Sequence, residues 1–365
     1  MMDKIIRAAV ERGATDLHIK AGDVFRARIN GRLVGLTKQR LTPDQTRAIA
    51  LRLIASPDDR ARIDSLRDYD CSWGMPGVGR FRVNVLRQRS SVMVVMRVIP
   101  FAVPTLDSLG LPPALATIAA GDRGLVVVAG VAGSGKSTTV AGMIQHVNST
   151  QQRHIVTVES PIEFLHRDLS SSVTQREVGV DTDSYASGLR AALRQDPDVV
   201  LIGELQEPEV LLTAIKAAES GRLVLASLPT HDVPSTIERL VQLLPPEERE
   251  LGRVRLAECL RAIVAQQLLP RADAPGKVVA CEILCGTPKV RAALREAVRA
   301  ADVRDLMATG ADGMQTFTQH AQALLAAGTI SAETARASTA LQVDAPPAGV
   351  PDRRKRGKAA DKAGA

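Results

Sequence analysis

The run Gly130-Val131-Ala132-Gly133-Ser134-Gly135-Lys136-Ser137 has the composition and spacing of a loop that holds phosphates. Glycines let successive backbone N–H groups curl toward one anion, and a helix beginning at the end of the loop adds positive potential. Lys136 supplies a charge for the β- and γ-phosphates of a nucleoside triphosphate, and the hydroxyl of Ser137 is placed to ligate Mg²⁺. Thr138 follows directly and completes the expected nucleotide-binding set. Such a loop needs a carboxylate at the end of a neighbouring strand. Glu204 closes the apolar run 199–203, at the strand end where ligands of open α/β sheets gather, and there it can orient water or hold a metal through water. A third segment, IVTVESPIEF, brings Glu159 and Glu163 together around a proline turn. Paired carboxylates beside a nucleotide can hold Mg²⁺ and polarise the attacking water. The chemistry these residues predict is Mg²⁺-assisted hydrolysis of a nucleoside triphosphate.

These groups need a scaffold that brings separate strand ends to one edge. Residues 125–129 read as a buried strand before the loop, and 138–147 as a helix after it. Further apolar runs at 155–159, 199–203 and 223–227 alternate with helical patterns at 185–194 and 208–220. That alternation predicts a parallel sheet covered on both faces. Beyond Pro234 the pattern reads as helical throughout, apart from a strand at 277–284. The first hundred residues read differently. A helix at 4–12 precedes strands at 16–20, 24–29 and 32–36, with Asn30-Gly31 as a hairpin turn. A helix at 42–54 opens on Thr42 and Pro43, and strands follow at 80–86 and 92–99. The fold class is α/β. The expected organisation is an α+β domain over 1–100, a linker over 101–120, an ATPase core over 121–285, a helical region over 286–343 and a disordered basic tail over 344–365.

Composition narrows the function classes. The chain has 365 residues, a formal charge of +7 and 2% aromatic residues. The charge invites a nucleic-acid reading, but single-strand binders stack bases on aromatic rings that are scarce here. Six basic residues against three acidic ones after residue 343 give the tail a net +3, leaving +4 on the remainder. No stretch has the apolar length of a spanning helix, and the N-terminus lacks the apolar core of a signal peptide. Cys71, Cys259, Cys281 and Cys285 are scattered, as expected of reduced thiols in the cytoplasm. Cys281 and Cys285 form a single CxxxC pair, expected to be structural.

Several segments in order along the chain resemble PilT-type ATPases of the type II/type IV secretion ATPase superfamily, the motors that retract type IV pili. RHIVTVESPIEF is similar to that family's Asp box, and TQREVGVDTDSYASGLRAALRQDPDVVLIGEL to the segment leading into Walker B. LLPPEERELGRVRLAECLRAIVAQQLL, EILCGTPKVRAALRE and GMQTFTQH resemble its C-terminal helical region. ATDLHIKAG and GVGRFRVNVLRQR resemble its N-terminal PAS-like domain. The resemblance implies a PAS-like domain, a RecA-like ATPase domain and a homo-hexameric ring with ATP bound between N- and C-terminal domains. It implies arginines near the phosphates, at positions matched by Arg82 and Arg97, with Arg80 a secondary candidate. It further implies a cytoplasmic protein peripheral to the inner membrane, engaging a PilC-like platform protein, with a paralogous retraction ATPase as a further partner and no direct nucleic-acid contact. KVRAALRE resembles the AIRNLIRE motif of retraction ATPases through Arg291, Arg295 and Glu296.

The sequence also departs from the family pattern. Ser160 stands where the Asp box carries its aspartate, Gln206 replaces an arginine and Val210 a threonine. Arg222 and Pro229 stand where histidines are expected, and His231, two residues further on, is a candidate substitute. These departures imply an ATPase that binds nucleotide well but turns over slowly or couples differently, as an accessory retraction ATPase would. The alternatives are a catalytically weak ring subunit, a pilus-extension or type II secretion ATPase, and a ring-shaped nucleic-acid motor. Extension and secretion relatives carry a zinc module with paired CxxC motifs, which this sequence lacks.

Overall fold

The computed structural model describes residues 2–99, 103–296 and 299–343. The tail expected over 344–365 and residues 101–102 of the expected linker lie outside the described residues.

The N-terminal region contains α1 (Met2–Glu11), β1 (Ala14–Lys20), β2 (Val24–Ile29), β3 (Arg32–Arg40), α2 (Pro43–Leu53), α3 (Pro57–Ala61), β4 (Asp68–Met75), β5 (Gly79–Gln88) and β6 (Ser91–Ile99). Its six strands form an antiparallel sheet in the order β3-β2-β1-β6-β5-β4. The β2–β3 turn is made by Asn30 and Gly31, both at positive φ (49° and 77°), the geometry that matches the twist of a hairpin. Helix α2 starts where expected. Thr42 Oγ1 accepts from Gln45 N (3.2 Å) while Gln45 Oε1 accepts from Thr42 N (2.9 Å), a reciprocal cap. One face of this sheet closes on Phe25, Phe81, Met96, Leu53 and Ile54, all nearly or fully buried. Strand β4 has no counterpart in the sequence reading: DYDCSWGM alternates weakly and sits at the sheet edge.

The second region contains α4 (Ala114–Ala119), β7 (Gly124–Ala129), α5 (Lys136–Thr150), β8 (His154–Glu159), β9 (Ser172–Glu177), α6 (Tyr185–Ala192), β10 (Val199–Ile202), α7 (Pro208–Glu219) and β11 (Leu223–Leu228). It continues through α8 (Val233–Leu243), α9 (Arg249–Cys259), β12 (Leu260–Pro270), β13 (Lys277–Cys285), α10 (Pro288–Arg295), α11 (Ala300–Ala308), α12 (Phe317–Ala326) and α13 (Ala332–Val343). Seven strands form one sheet in the order β13-β12-β7-β11-β10-β8-β9, parallel except for β13 at its edge. Every residue of β7, β10 and β11 is buried, as strands covered on both faces require.

One expectation fails. The stretch read as helical after Pro234 contains β12, an eleven-residue strand between β7 and β13. Its sequence LRAIVAQQLLP is rich in Ala, Gln and Leu, which favour helix in isolation. Burial between two partner strands outweighs that preference, because strand propensity is largely the fit of side chains to their neighbours. Strand β9, unassigned from the sequence, pairs with β8 at the opposite edge. Its pairing brings Glu177 opposite Glu159.

Candidate active site

The phosphate loop emerges from β7 and enters α5, as its sequence context predicted. Gly130, Gly133 and Gly135 all have positive φ. At Gly130 a Cβ would also lie 2.7 Å from the backbone carbonyl of Gln266, which leaves no room for a side chain. Val131 and Ala132 form the exposed tip, and Ser134 is buried. Lys136 Nζ donates to the carbonyls of Gly130 (2.7 Å) and Val131 (3.2 Å), so the ammonium lies inside the loop's own curl. Burial pulls its pKa down, and the nearby Glu204 and Glu163 carboxylates oppose that shift. Ser134 Oγ is buried without a hydrogen-bond partner. An orphaned hydroxyl beside Gly130, where a Cβ has no room, fits a site built for an external polar group. Ser137 and Thr138 follow in the first turn of α5, where backbone N–H groups lack intrahelical partners.

The carboxylates arrive from neighbouring strand ends. Glu163 Oε1 accepts from Ser137 Oγ at 3.1 Å, joining the third segment to the phosphate loop. Glu159 ends β8, where its Oε1 accepts from Thr157 Oγ1 (2.7 Å) and Gln175 Nε2 (3.0 Å). Burial pushes the Glu159 carboxyl up to about 7, against the lowering effect of those two donors. Gln175 Nε2 also donates to Phe164 O (2.9 Å), so one side chain ties both ends of the turn that carries Glu159 and Glu163. Glu204 leaves the end of β10. Gly203 N donates to Val158 O (2.8 Å) and Leu205 N to Ser227 O (2.9 Å), which fix the backbone on either side of it. A Cβ at Gly203 would lie 2.8 Å from the Tyr185 hydroxyl and would push that ring out of place. Tyr185 packs between the two strand ends, and burial together with Glu204 and Glu159 raises its pKa far above the usual phenol value.

The departures Ser160, Gln206 and Val210 meet in space. With Tyr185, Glu204 and Glu207 they line a cavity of about 160 Å³ beside the strand-end carboxylate. Two further departures are far apart. Pro229 follows β11 at the loop edge of the sheet, whereas Arg222 precedes β11, a strand length of about 20 Å away. His231 is exposed, with Nε2 3.8 Å from Asp232 Oδ1. Arg82 and Arg97 are paired across β5 and β6 on the N-terminal sheet. Arg97 Nε donates to Asp16 Oδ1 (3.0 Å), and among the described residues neither arginine is bonded to the phosphate loop of its own chain.

The sequence profile of the "Type II/IV secretion system protein" family matches residues 1–341. The chain belongs to this family. Among curated relatives, the Type IV pilus ATPase PilU of Pseudomonas aeruginosa is 38% identical over 338 residues, covering 92% of this chain and 87% of its own. The Type IV pilus retractation ATPase PilT of the same organism is 37% identical over 333 residues, 91% of this chain and 96% of that one. The crystal structure of the pilus retraction motor PilT with bound ADP superposes with a TM-score of 0.83 at 38% identity, covering 96% and 97% of the two chains. The fold is therefore that of a secretion ATPase, an N-terminal α+β domain followed by a RecA-like ATPase domain, as the motifs implied.

The segment KVRAALRE lies at the opposite end of the sheet's central strands from the phosphate loop. Arg291, Arg295 and Glu296 belong to α10 and its C-terminal cap, near the start of β12 rather than at the phosphate loop. Arg291 Nε donates to Gly286 O (2.8 Å) and its Nη2 to Leu260 O (3.4 Å); Arg295 forms an ion pair with Glu258. Glu296 is exposed. Arg291 thus fastens the entry of β12 to the exit of β13. Arg291→Ala is expected to lower unfolding free energy by about 2 kcal/mol, the scale of hydrogen bonds from a charged donor, with nucleotide affinity unchanged. Urea unfolding and a fluorescent-nucleotide titration of the same preparation check both halves.

Several contributing residues escaped the sequence reading. Gln266 of β12 donates through Nε2 to Ser134 O (2.8 Å) and props the phosphate loop from below. A polar residue in an apolar run was its only signal, hidden by the helical reading of that run. Glu282 of β13 is 1% exposed. It accepts from Val233 N and Phe317 N, the first residues of α8 and α12, while Arg304 bonds Asp232 (3.1 Å) beside it. Burial pushes Glu282 up to about 7 from 4.5. A carboxyl with a raised folded pKa stabilises most below its unfolded pKa and loses that contribution as pH rises through the folded value. Wild type is therefore expected to lose about 2 to 3 kcal/mol more stability between pH 5 and pH 8 than Glu282→Gln. Urea midpoints of the two proteins at the two pH values measure this difference.

All four cysteines are free thiols, and Cys281 and Cys285 are buried in β13. Among the described residues no group of three or more His, Cys, Asp or Glu side chains is arranged to hold a metal, and no helix is long and apolar enough to cross a membrane.

Proposed function

We propose that this chain is a ring-forming ATPase that hydrolyses Mg²⁺-ATP to drive retraction of type IV pili, with twitching motility as its output. The observation that carries this reading is the 3.1 Å bond from Ser137 to Glu163, which joins the phosphate loop to an acidic turn in a chain of the secretion ATPase family. Lys136 exchanges its loop carbonyls for the β- and γ-phosphates. Gly130 to Gly135 wrap the phosphates with backbone N–H groups, and Thr138 adds a hydroxyl at the helix start. Ser137, with Glu163 and Glu204 through water, would hold Mg²⁺, which when bound neutralises charge developing on the phosphates. Glu204 orients the attacking water, and Glu159 steadies the turn that aims Glu163.

Residues 1–100, 121–285 and 286–343 act as three units, with 101–120 as the linker, whose α4 packs on the core of the second unit. In a homo-hexamer the cross-strand pair Arg82 and Arg97 faces nucleotide across a domain boundary, where a guanidinium fork suits spread phosphate charge. His231 stands in for the histidine expected at Pro229. The ring works at the cytoplasmic face of the inner membrane on a PilC-like platform protein, alongside a paralogous retraction ATPase. Deleting the gene is expected to abolish or slow pilus retraction, and the wild-type gene alone, not a Lys136→Ala copy, to restore it. Retraction unaffected by deletion would count against the proposal.

A second reading, an accessory motor with slow intrinsic turnover, is favoured by the cavity in which Ser160, Gln206 and Val210 converge beside Glu204. That reading predicts slowed rather than abolished retraction on deletion. Restoring Ser160→Asp together with Gln206→Arg is then expected to raise turnover of the purified protein.

A further inference from the structure

The N-terminal sheet reaches the acidic turn through one ion pair. Arg80, near the start of β5, donates through Nη2 to Glu177 Oε2 at 2.7 Å, across 97 residues of sequence. The Glu177 side chain is 4% exposed. The same Oε2 atom accepts from the backbone N–H of Ile162 at 3.2 Å. Ile162 is itself 2% exposed and lies in the turn between Glu159 and Glu163. The rest of Glu177 is immobilised: its N–H donates to Asp181 Oδ2 (2.8 Å), and its carbonyl accepts from Asp181 N (2.8 Å). The adjacent Val178 N donates to Glu159 O (2.8 Å).

We infer that Arg80 is a positioning residue: through Glu177 and the Ile162 amide, it lets the placement of the N-terminal sheet set the aim of Glu163 on Ser137. The physical reason is the cost of a buried, unpaired charge. A carboxylate out of water is stable there only while its cation is present, and removing one partner of such a pair is strongly unfavourable. When the N-terminal sheet carries Arg80 away, Glu177 must find water or another donor. Its grip on Ile162 N loosens, and Glu163, the next residue, loses its fixed backbone. Arg176 does not replace Arg80, because its Nη2 donates to Asp181 O (2.7 Å). The guanidinium therefore reports domain position to the site without touching nucleotide.

This inference rests on the ATPase reading, and two measurements on the full-length protein separate them. Steady-state hydrolysis gives kcat and KM, with mant-ADP titration for affinity. Arg80→Ala is expected to lower kcat 10- to 100-fold with mant-ADP affinity within about twofold of wild type, Arg80→Lys to recover most of kcat, and the exchanged pair Arg80→Glu with Glu177→Arg to exceed either single change at least tenfold. Amide hydrogen exchange over 159–164 is expected to quicken at least tenfold in Arg80→Ala while α5 stays protected. Unchanged kcat and unchanged exchange in Arg80→Ala overturn the inference, as does a loss of mant-ADP affinity as large as the loss of kcat. If the wild-type protein shows no Lys136-dependent hydrolysis, the ATPase reading fails instead, and the exchange experiment still decides whether Arg80 holds the turn.

Discussion

Lys136→Ala is expected to reduce ATP turnover about 10²- to 10³-fold and to weaken nucleotide binding at least tenfold, leaving the protein folded. The Lys136 ammonium lies on two carbonyls of the loop itself, so the cation is already delivered to the centre of the curl before any phosphate arrives. Its partial burial lowers its pKa, and the opposing pull of Glu204 and Glu163 keeps the charged form available. Alanine removes that charge while the backbone N–H groups remain, so binding falls but does not vanish. The fold is spared because Gly130, Gly135 and Gln266 continue to shape the loop when the two lysine bonds are lost. Coupled-assay turnover and mant-ADP titration, with urea unfolding as the control for folding, measure all three effects. Wild-type turnover in the variant would refute the assignment of this loop as the catalytic phosphate site.

Glu204→Gln and Glu163→Gln are expected to produce the opposite signature, a fall in kcat of about 10²- to 10⁴-fold with nucleotide affinity retained or improved. Both carboxylates lie close enough to Lys136 to favour its ammonium form, and close enough to repel an incoming anion; an amide of the same shape removes one negative charge from that side. Binding of a polyanion gains while the group that orients water or metal is lost. A change confined to kcat marks an interaction made only in the transition state. The two variants differ in one respect. Glu163→Gln keeps an acceptor oxygen for Ser137 Oγ, so its helix start is undisturbed. Glu204→Gln changes the wall of the 160 Å³ cavity, and its effect is expected to vary with Gln206→Arg, a residue lining the same space. Independent, additive effects of Glu204→Gln and Gln206→Arg would show that the cavity plays no part in turnover.

Much of the site is local in sequence and was readable there. The phosphate loop lies within eight residues, and its glycines carry their own geometric reason. Glu204 and Glu159 close apolar runs, so their positions at strand ends follow from burial pattern alone. The capping box at Thr42 and the Asn30-Gly31 turn are equally local. What failed was β12, where Ala, Gln and Leu carry a helical preference and the partners that overrule it are β7, more than a hundred residues earlier, and β13, across a hairpin.

The sequence by itself placed the candidate groups: a lysine and a serine in a glycine loop and carboxylates at strand ends, each defined by neighbours within a few positions. Tertiary structure alone decided how those groups are tied together. It brought Ser137 to Glu163, gathered Ser160, Gln206 and Val210 around one cavity, and joined Arg80 to Glu177. The physical reason is that sequence periodicity reports which face of an element is buried, whereas contacts between elements depend on strand order and register, which are fixed only when the whole sheet closes.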